Sequence, residues 1–467
     1  MSPTTDHQSQ ESAVKQPTPI PWRQVSVMLL VRFSEPISFT LLLPFVYSMV
    51  RDFHITNNEK DVAYYAGFIA SSFAICQFVS GIPWGALSDR IGRKPVIVMG
   101  LLGTSINLFL FGLSKSLTWA VITRGLCGLL NGNIGVLKAM VAEITDSSNR
   151  AYTFNFLPMI YGLGSIIGPI LGGYLSDPIQ QYPGFFTNPG IVKLLTEYPY
   201  FLPCFVSSSL CLISSIIGLL FLKETLPKKV KNKQNDETSP LLNNETNDSP
   251  SSSSNIPIPK SIWLTITAYC GIGLFSVMLD EIIPFWASEN PNHGGLKFNP
   301  ADIGFLNSFG GVILLLAQFF LFVPFQRRYG SLTALRVIFY LYIPSIFLYP
   351  LTQPLFGTKE NSSLWFYLYF VTTLKTIGVA FTFAAVNILI MEASPKPILG
   401  RVSGIAQCLV SLMRSLGPYL TGMLFSWSLN NSFDFILLKF PFTWLVIVSI
   451  MLFTLIVSYC IPPPMIN

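Results

Sequence analysis

Six cations stand inside otherwise apolar runs of this chain: Arg32, Arg124, Lys138, Arg336, Lys375 and Arg414. A charge held at membrane depth is expensive, so each needs a partner or a purpose. Arg336 lies near the end of its run, where its stem lets the guanidinium snorkel to water. The other five can hold an anionic solute or set the proton affinity of a carboxyl. Glu35 follows Arg32 by three residues, so on a helix the two share a face and can pair. Glu35 is alternatively the titrating carboxylate, with Arg32 setting its pKa. Arg124, Gly128, Asn131, Gly135 and Lys138 recur at helical spacing and give their run one polar stripe. Lys375 and Asn387 are placed comparably in a later run, and Arg414 is positioned to anchor an anionic solute or to pair with Glu35. Asp280 and Glu281 lie toward the end of their run and read as a gate or cap. No nucleophile–base constellation or phosphate loop accompanies these groups, so enzyme chemistry is not expected and no cofactor is implied.

The elements that must position them are membrane helices. Of the 467 residues, 51% are hydrophobic and 11% charged, whereas soluble domains carry about 25% charged residues. Runs near the roughly 20 residues needed to cross a bilayer predict spans at 25–50, 62–87, 96–113, 117–143, 152–175 and 200–222, and again at 262–288, 303–325, 332–351, 364–392, 402–428 and 440–461. The expected fold is all-α and integral to the membrane, with twelve transmembrane helices in two six-helix halves. Residues 1–24 read as a disordered cytosolic N-terminus, 25–222 as the first half, 223–261 as a cytosolic linker, 262–461 as the second half and 462–467 as a cytosolic tail. No cleavable signal is visible in a polar start containing Pro17 and Pro19. With both ends cytosolic, 16 of the 29 Lys and Arg fall in cytosolic segments, 7 in external ones and 6 inside spans, as the positive-inside rule requires. The seven cysteines form no C-x-x-C pair and His7, His54 and His293 are scattered, so no disulfide framework or metal site is expected.

Between the second and third spans runs a short charged hairpin, Trp84-Gly85-Ala86-Leu87-Ser88-Asp89-Arg90-Ile91-Gly92-Arg93-Lys94-Pro95. Gly85 and Gly92 permit close packing and a tight turn, Asp89 can accept from helix N-terminal amides, and Pro95 suits the first turn of the next helix. The halves repeat. Glu143 precedes Gly168-Pro169 by 25 residues and Glu392 precedes Gly417-Pro418 by 25, with Arg150 and Arg401 between them. A degraded copy of the hairpin, without the Asp, stands at Gln326-Arg327-Arg328-Tyr329-Gly330. Asp89, Arg90 and Arg93 are expected to engage Glu143 and Arg150 as a conformational latch. In the fifth span Gly164, Gly168, Pro169, Gly172 and Gly173 place small residues four apart around a helix-kinking proline.

The hairpin pattern G-x-L-x-D-R-x-G-R-K-P resembles the loop between spans two and three of the major facilitator superfamily. The run G-x-x-x-G-P-x-x-G-G is similar to the antiporter motif of its twelve-span drug:proton antiporter group. With Asp280-Glu281, Pro284-Phe285-Trp286-Ala287 and Gly294-Gly295-Leu296, these segments most resemble the zinc-induced facilitator-like proteins and their fungal relatives. The resemblance implies a secondary transporter that exchanges protons for a small organic solute by alternating access. Arg124 fits an Arg-then-Gly pattern that the group associates with proton coupling. The rival readings are a facilitator or importer of a sugar-like solute and a non-transporting membrane sensor. The linker entry Lys223-Glu224-Thr225-Leu226-Pro227 lacks the histidine of the plant members, and no N-terminal cysteine pair is present, so zinc handling is not implied. The expected partners are the solute, protons and the bilayer, with no nucleic acid, and the chain is expected to be a monomer. In the linker, Glu237-Thr238-Ser239-Pro240-Leu241-Leu242 resembles an acidic dileucine signal read by cytosolic sorting adaptors. It favours the vacuolar membrane over the endoplasmic reticulum or plasma membrane. The sequons at Asn361 and Asn430 would then carry lumenal glycans.

Overall fold

The computed structural model describes residues 20–145, 153, 156–226, 258–357, 361–394, 399–431 and 442–462, and no strand occurs among them. Ten helices in this set are long and apolar enough to cross a membrane. The other two expected spans are present but depart from that pattern. The fifth, Phe156–Leu175, contributes the shorter apolar helix Met159–Leu175. The first carries Arg32 and Glu35 and breaks after Thr40, giving Trp22–Thr40 and Val46–Asp52. Pro44 explains the break, since it offers no N–H to continue the ladder.

The fourth span is also discontinuous, Leu117–Leu130 followed by Asn133–Ile144. The expected unbroken polar stripe is therefore two short stripes offset by the turn at Asn131-Gly132. Backbone carbonyls freed by such a break must be satisfied locally at membrane depth. The second span does this: Trp84 Nε1 donates to the Leu129 carbonyl at 2.7 Å, Gln77 Nε2 to that of Asn131 at 3.3 Å and Ser80 Oγ to that of Gly128 at 3.5 Å. In the eighth span, Pro300–Leu316 passes through a wider π turn at Ala317–Phe322 into Val323–Tyr329. Its start is fixed by a capping box, with Asp302 N–H donating to Asn299 Oδ1 at 2.8 Å and Asn299 N–H to Asp302 Oδ2 at 3.1 Å.

The hairpin predicted over Trp84–Pro95 shrinks to one residue. The second span continues to Ile91 and the third begins at Arg93, with only Gly92 non-helical at φ 109°, ψ 158°. Gly330 takes nearly the same conformation, φ 80°, ψ 162°, between the eighth and ninth spans, so the degraded copy keeps the geometry. Positive φ at both positions is why glycine survives there.

The repeat extends to how the halves meet. On the fifth span the Pro169 carbonyl and Gly173 Cα press on Gly304 of the eighth; on the eleventh, the Pro418 carbonyl and Gly422 Cα press on Gly67 of the second. Each crossing lacks room for a Cβ. Arg336 does not snorkel but caps the twelfth span, donating to the carbonyls of Ser458 at 2.8 Å and Ile461 at 3.0 Å.

Candidate functional site

Around Gly92 a charged cluster joins four segments. Arg93 pairs with Asp89 at 2.5 Å and Glu143 at 2.9 Å, and donates to Ser88 Oγ at 2.6 Å. The far oxygen of Glu143 accepts from Thr225 Oγ1 at 2.5 Å. Asp89 was expected to cap a helix; Glu224 does so instead, accepting from the backbone N–H of Arg93 at 2.9 Å and of Lys94 at 3.1 Å. Burial works against its carboxylate, but the N–H groups of Leu226, Arg93, Lys94 and Thr225 outweigh it and hold the carboxyl below its usual range. Arg90 is exposed and the space over Gly85 is open. Arg150, the other expected latch residue, lies outside the described residues, as do Glu237, Leu241 and Leu242 of the sorting pattern. Sequence reasoning missed Glu224, although its place just after the sixth span put it beside the hairpin.

A second polar cluster lies between the halves. Arg32 and Glu35 form a buried ion pair. Lys138 is close enough to Arg32 and Arg414 to feel both charges, and the Tyr161 phenol lies in the field of Arg414, Asp280 and Arg32. Lys375 binds Asp280 at 2.8 Å. Asn387 Nδ2 donates to the Phe383 carbonyl at 2.7 Å. Lys138, Asp280 and Asn387 are exposed despite their depth in the chain's apolar helices, so open space reaches this cluster as a cavity between the halves. Its wall carries two ion pairs plus Lys138 and Arg414, which have no ion-pair partner among the described residues. The sequence reading placed Asp280 at a gate; the structure makes it the counter-ion of Lys375. Tyr161 was missed, hidden in a glycine-rich stretch read only for packing.

Arg124 and Asn131 do not join this cavity wall. Arg124 is sealed, with its guanidinium 4.5 Å above the Phe73 ring, a cation–π contact. Asn131 is buried at the break of the fourth span with its Oδ1 unpartnered. The fifth-span glycines serve close packing. Gly164, Gly168 and Gly172 leave no room for a Cβ against Pro36, Thr40 and Leu41 of the first span, and Thr40 Oγ1 donates to the Gly164 carbonyl at 3.3 Å.

On the side of the molecule carrying Asp61, the halves are joined. Asp61 accepts from Ser426 Oγ at 2.9 Å and Asn430 Nδ2 at 2.8 Å, and Asn58 donates to Asn430 Oδ1 at 2.9 Å. Tyr47 donates to Glu289 at 2.5 Å, and His293 Nδ1 lies 2.9 Å from the other oxygen of Glu289. The Asn430 sequon amide is thus engaged in the closure, while Asn361 caps the tenth span by accepting from Ser363 N–H at 3.0 Å. On the side carrying Arg93, open space faces Gly81, Gly85, Gly135 and Gly404.

A sequence model described as Major Facilitator Superfamily matches residues 28–418. The chain belongs to the major facilitator superfamily. Over 490 aligned residues it is 32% identical to the major facilitator superfamily multidrug transporter mfsB of Aspergillus fumigatus, with 89% of this chain and 80% of that one covered. It is 30% identical over 420 residues to the protein zinc induced facilitator-like 1 of Arabidopsis thaliana, covering 87% and 84%. Its fold is shared with a bacterial homologue of the human lysosomal transporter Spinster, solved inward-facing and unoccupied, at TM-score 0.68 and 14% identity over 95% and 98% of the two chains. The protein is a multi-pass membrane transporter of the secondary type and not an enzyme.

Proposed function

We propose that this superfamily member exchanges protons for a small organic anion, exporting the anion from the cytosol by alternating access. The observation that carries the anion is the cavity wall. Arg32 and Glu35 pair, Asp280 and Lys375 pair, and Lys138 and Arg414, on different halves, remain without ion-pair partners among the described residues while the charge of Arg414 reaches Lys138. Holding two like charges near each other at membrane depth costs energy that an anion between them would recover. Tyr161 supplies a phenol donor in the same field, and the multidrug relative mfsB supports a solute broader than a single metabolite.

In this reading, halves 25–222 and 262–461 rock against one another, and the tight Gly67–Pro418 and Gly304–Pro169 crossings belong to the state in which the Asp61 side is closed. The Arg93 side faces the cytosol, and the structure is the inward-open state. The cluster of Asp89, Arg93, Glu143 and Glu224 rigidifies the end of the first half. Gly85, open here, and Arg150 complete the latch when the cytosolic side closes. Proton exchange rests on the fifth-span motif and on the carboxyl groups held at membrane depth.

The test uses proteoliposomes with an acidic interior and two probes, carboxyfluorescein and ethidium. Carboxyfluorescein should accumulate inside only while the pH gradient stands, and ethidium should not. Accumulation that ignores the gradient would replace exchange by facilitation, and movement of ethidium alone would overturn the anion assignment. The vacuolar address proposed from Glu237, Leu241 and Leu242 is tested separately: changing both leucines to Ala should leave a tagged protein at the plasma membrane.

A further inference from the structure

We propose that Glu281, and not Glu35, is the group that binds and releases the exchanged proton. The inference rests on the exchange reading above but is tested without it. Three carboxyl groups of the described residues lie well inside the spans, and two have cations: Glu35 has Arg32 and Asp280 has Lys375. Glu281 has none. It is 4% exposed and its Oε2 has no hydrogen-bond partner. Its neighbours on the seventh span, Ile282, Ile283, Pro284 and Phe285, are all buried and apolar.

A carboxylate in such a place would be an uncompensated charge in a medium that cannot solvate it, and the neutral acid is the form that fits. The ionised groups whose charge reaches it are Asp280 on its own helix and Arg124 on the fourth span. Arg124 is only 2% exposed, its Nε is unpartnered, and its surroundings are the Phe73 ring and the thiols of Cys127 and Cys204. Among the other helices packed on the seventh span, the tenth brings Lys375, already held by Asp280. The eleventh brings Arg414, and the external end of the first brings Tyr47, already held by Glu289.

Glu281 and Arg124 therefore form an unmade ion pair whose members belong to different halves. Here they are farther apart than an ion pair, and Glu281 keeps its proton. A movement that brings Arg124 to Glu281, or admits water to it, favours ionisation: the Oε2–H bond breaks, its electron pair stays on the carboxylate, and the proton passes to water. Proton occupancy is thereby tied to the relative position of the halves, which coupling requires. Glu35 cannot serve in this way, because Arg32 lies on its own helix and moves with it.

Infrared difference spectra of the purified full-length protein, taken between about pH 5 and pH 9, read a protonated buried carboxyl directly through its C=O band, with no substrate and no gradient. A titrating band is expected in wild type, lost in Glu281→Gln, shifted in Glu281→Asp and unchanged in Glu35→Gln. A band that persists in Glu281→Gln, or disappears in Glu35→Gln, overturns the assignment, and the Asp variant decides the matter should the Gln variant fail to fold. The vesicle experiment fails independently: wild type without gradient-driven flux would refute exchange, whatever the spectra show.

Discussion

Alanine at Gly67 should push the protein out of the conformation described here. A Cβ at that position would fall well inside contact distance of the Pro418 carbonyl oxygen and 3.1 Å from Gly422 Cα. Carbon atoms pack best at about 3.5–4.0 Å, so the second and eleventh spans must part by roughly half an ångström or more. Neither obstacle can rotate away, since both are backbone. Overpacking of this kind costs about 1–3 kcal/mol. The crossing lies on the side where the halves are joined through Asp61, so the strain is relieved when that side opens. A bias of that size shifts the ratio of the two states by about 5–150-fold. The pseudo-symmetric Gly304→Ala, 3.0 Å from Gly173 Cα, should act in the same direction. The assay is alkylation of a cysteine placed at Gly404, which faces open space, after the exposed Cys408 and Cys460 are changed to Ser. A membrane-impermeant maleimide applied from the Arg93 side should label more slowly in both alanine variants. Labelling at the parental rate, in protein of parental thermal stability, would refute the reasoning.

Three further outcomes follow from the same geometry. Glu224→Gln should lower thermal stability by about 1 kcal/mol, the usual worth of a helix cap. Because the folded-state carboxyl is held below its usual range, that contribution is complete above the unfolded value near pH 4.3 and is lost as pH falls through the folded one. The gap between wild type and variant, measured by melting at stepped pH, should therefore close in acid. Arg93→Ala should strip Glu143 and Asp89 of their cation and slow carboxyfluorescein uptake while leaving membrane insertion intact, as followed by flux and surface labelling. Arg414→Ala should weaken carboxyfluorescein uptake chiefly through KM, with Arg414→Lys restoring part of it; an unchanged KM would remove Arg414 from the binding wall.

The chain alone determined which segments enter the membrane, because transfer of apolar side chains and exclusion of charge are properties of each run taken separately. It also determined the repeat: the 25-residue interval from Glu143 to Gly168 and from Glu392 to Gly417 is a local regularity. The structure matches it with two equivalent glycine crossings. Arg32 and Glu35 were legible as a pair because three residues on one helix fix their relation without help from any other. Breaks at Asn131-Gly132 and after Thr40 escaped, since hydropathy averages over a turn that neighbouring side chains such as Trp84 and Gln77 make affordable. Partnerships between helices were out of reach for a deeper reason. That Lys375 meets Asp280, that Glu224 caps the helix begun at Arg93, and that Glu281 Oε2 is buried without a hydrogen-bond partner, all depend on how each helix is rotated about its axis and set in depth against the others. Rotation and depth come from side chains interlocking across whole interfaces, and only the packed tertiary structure decides them.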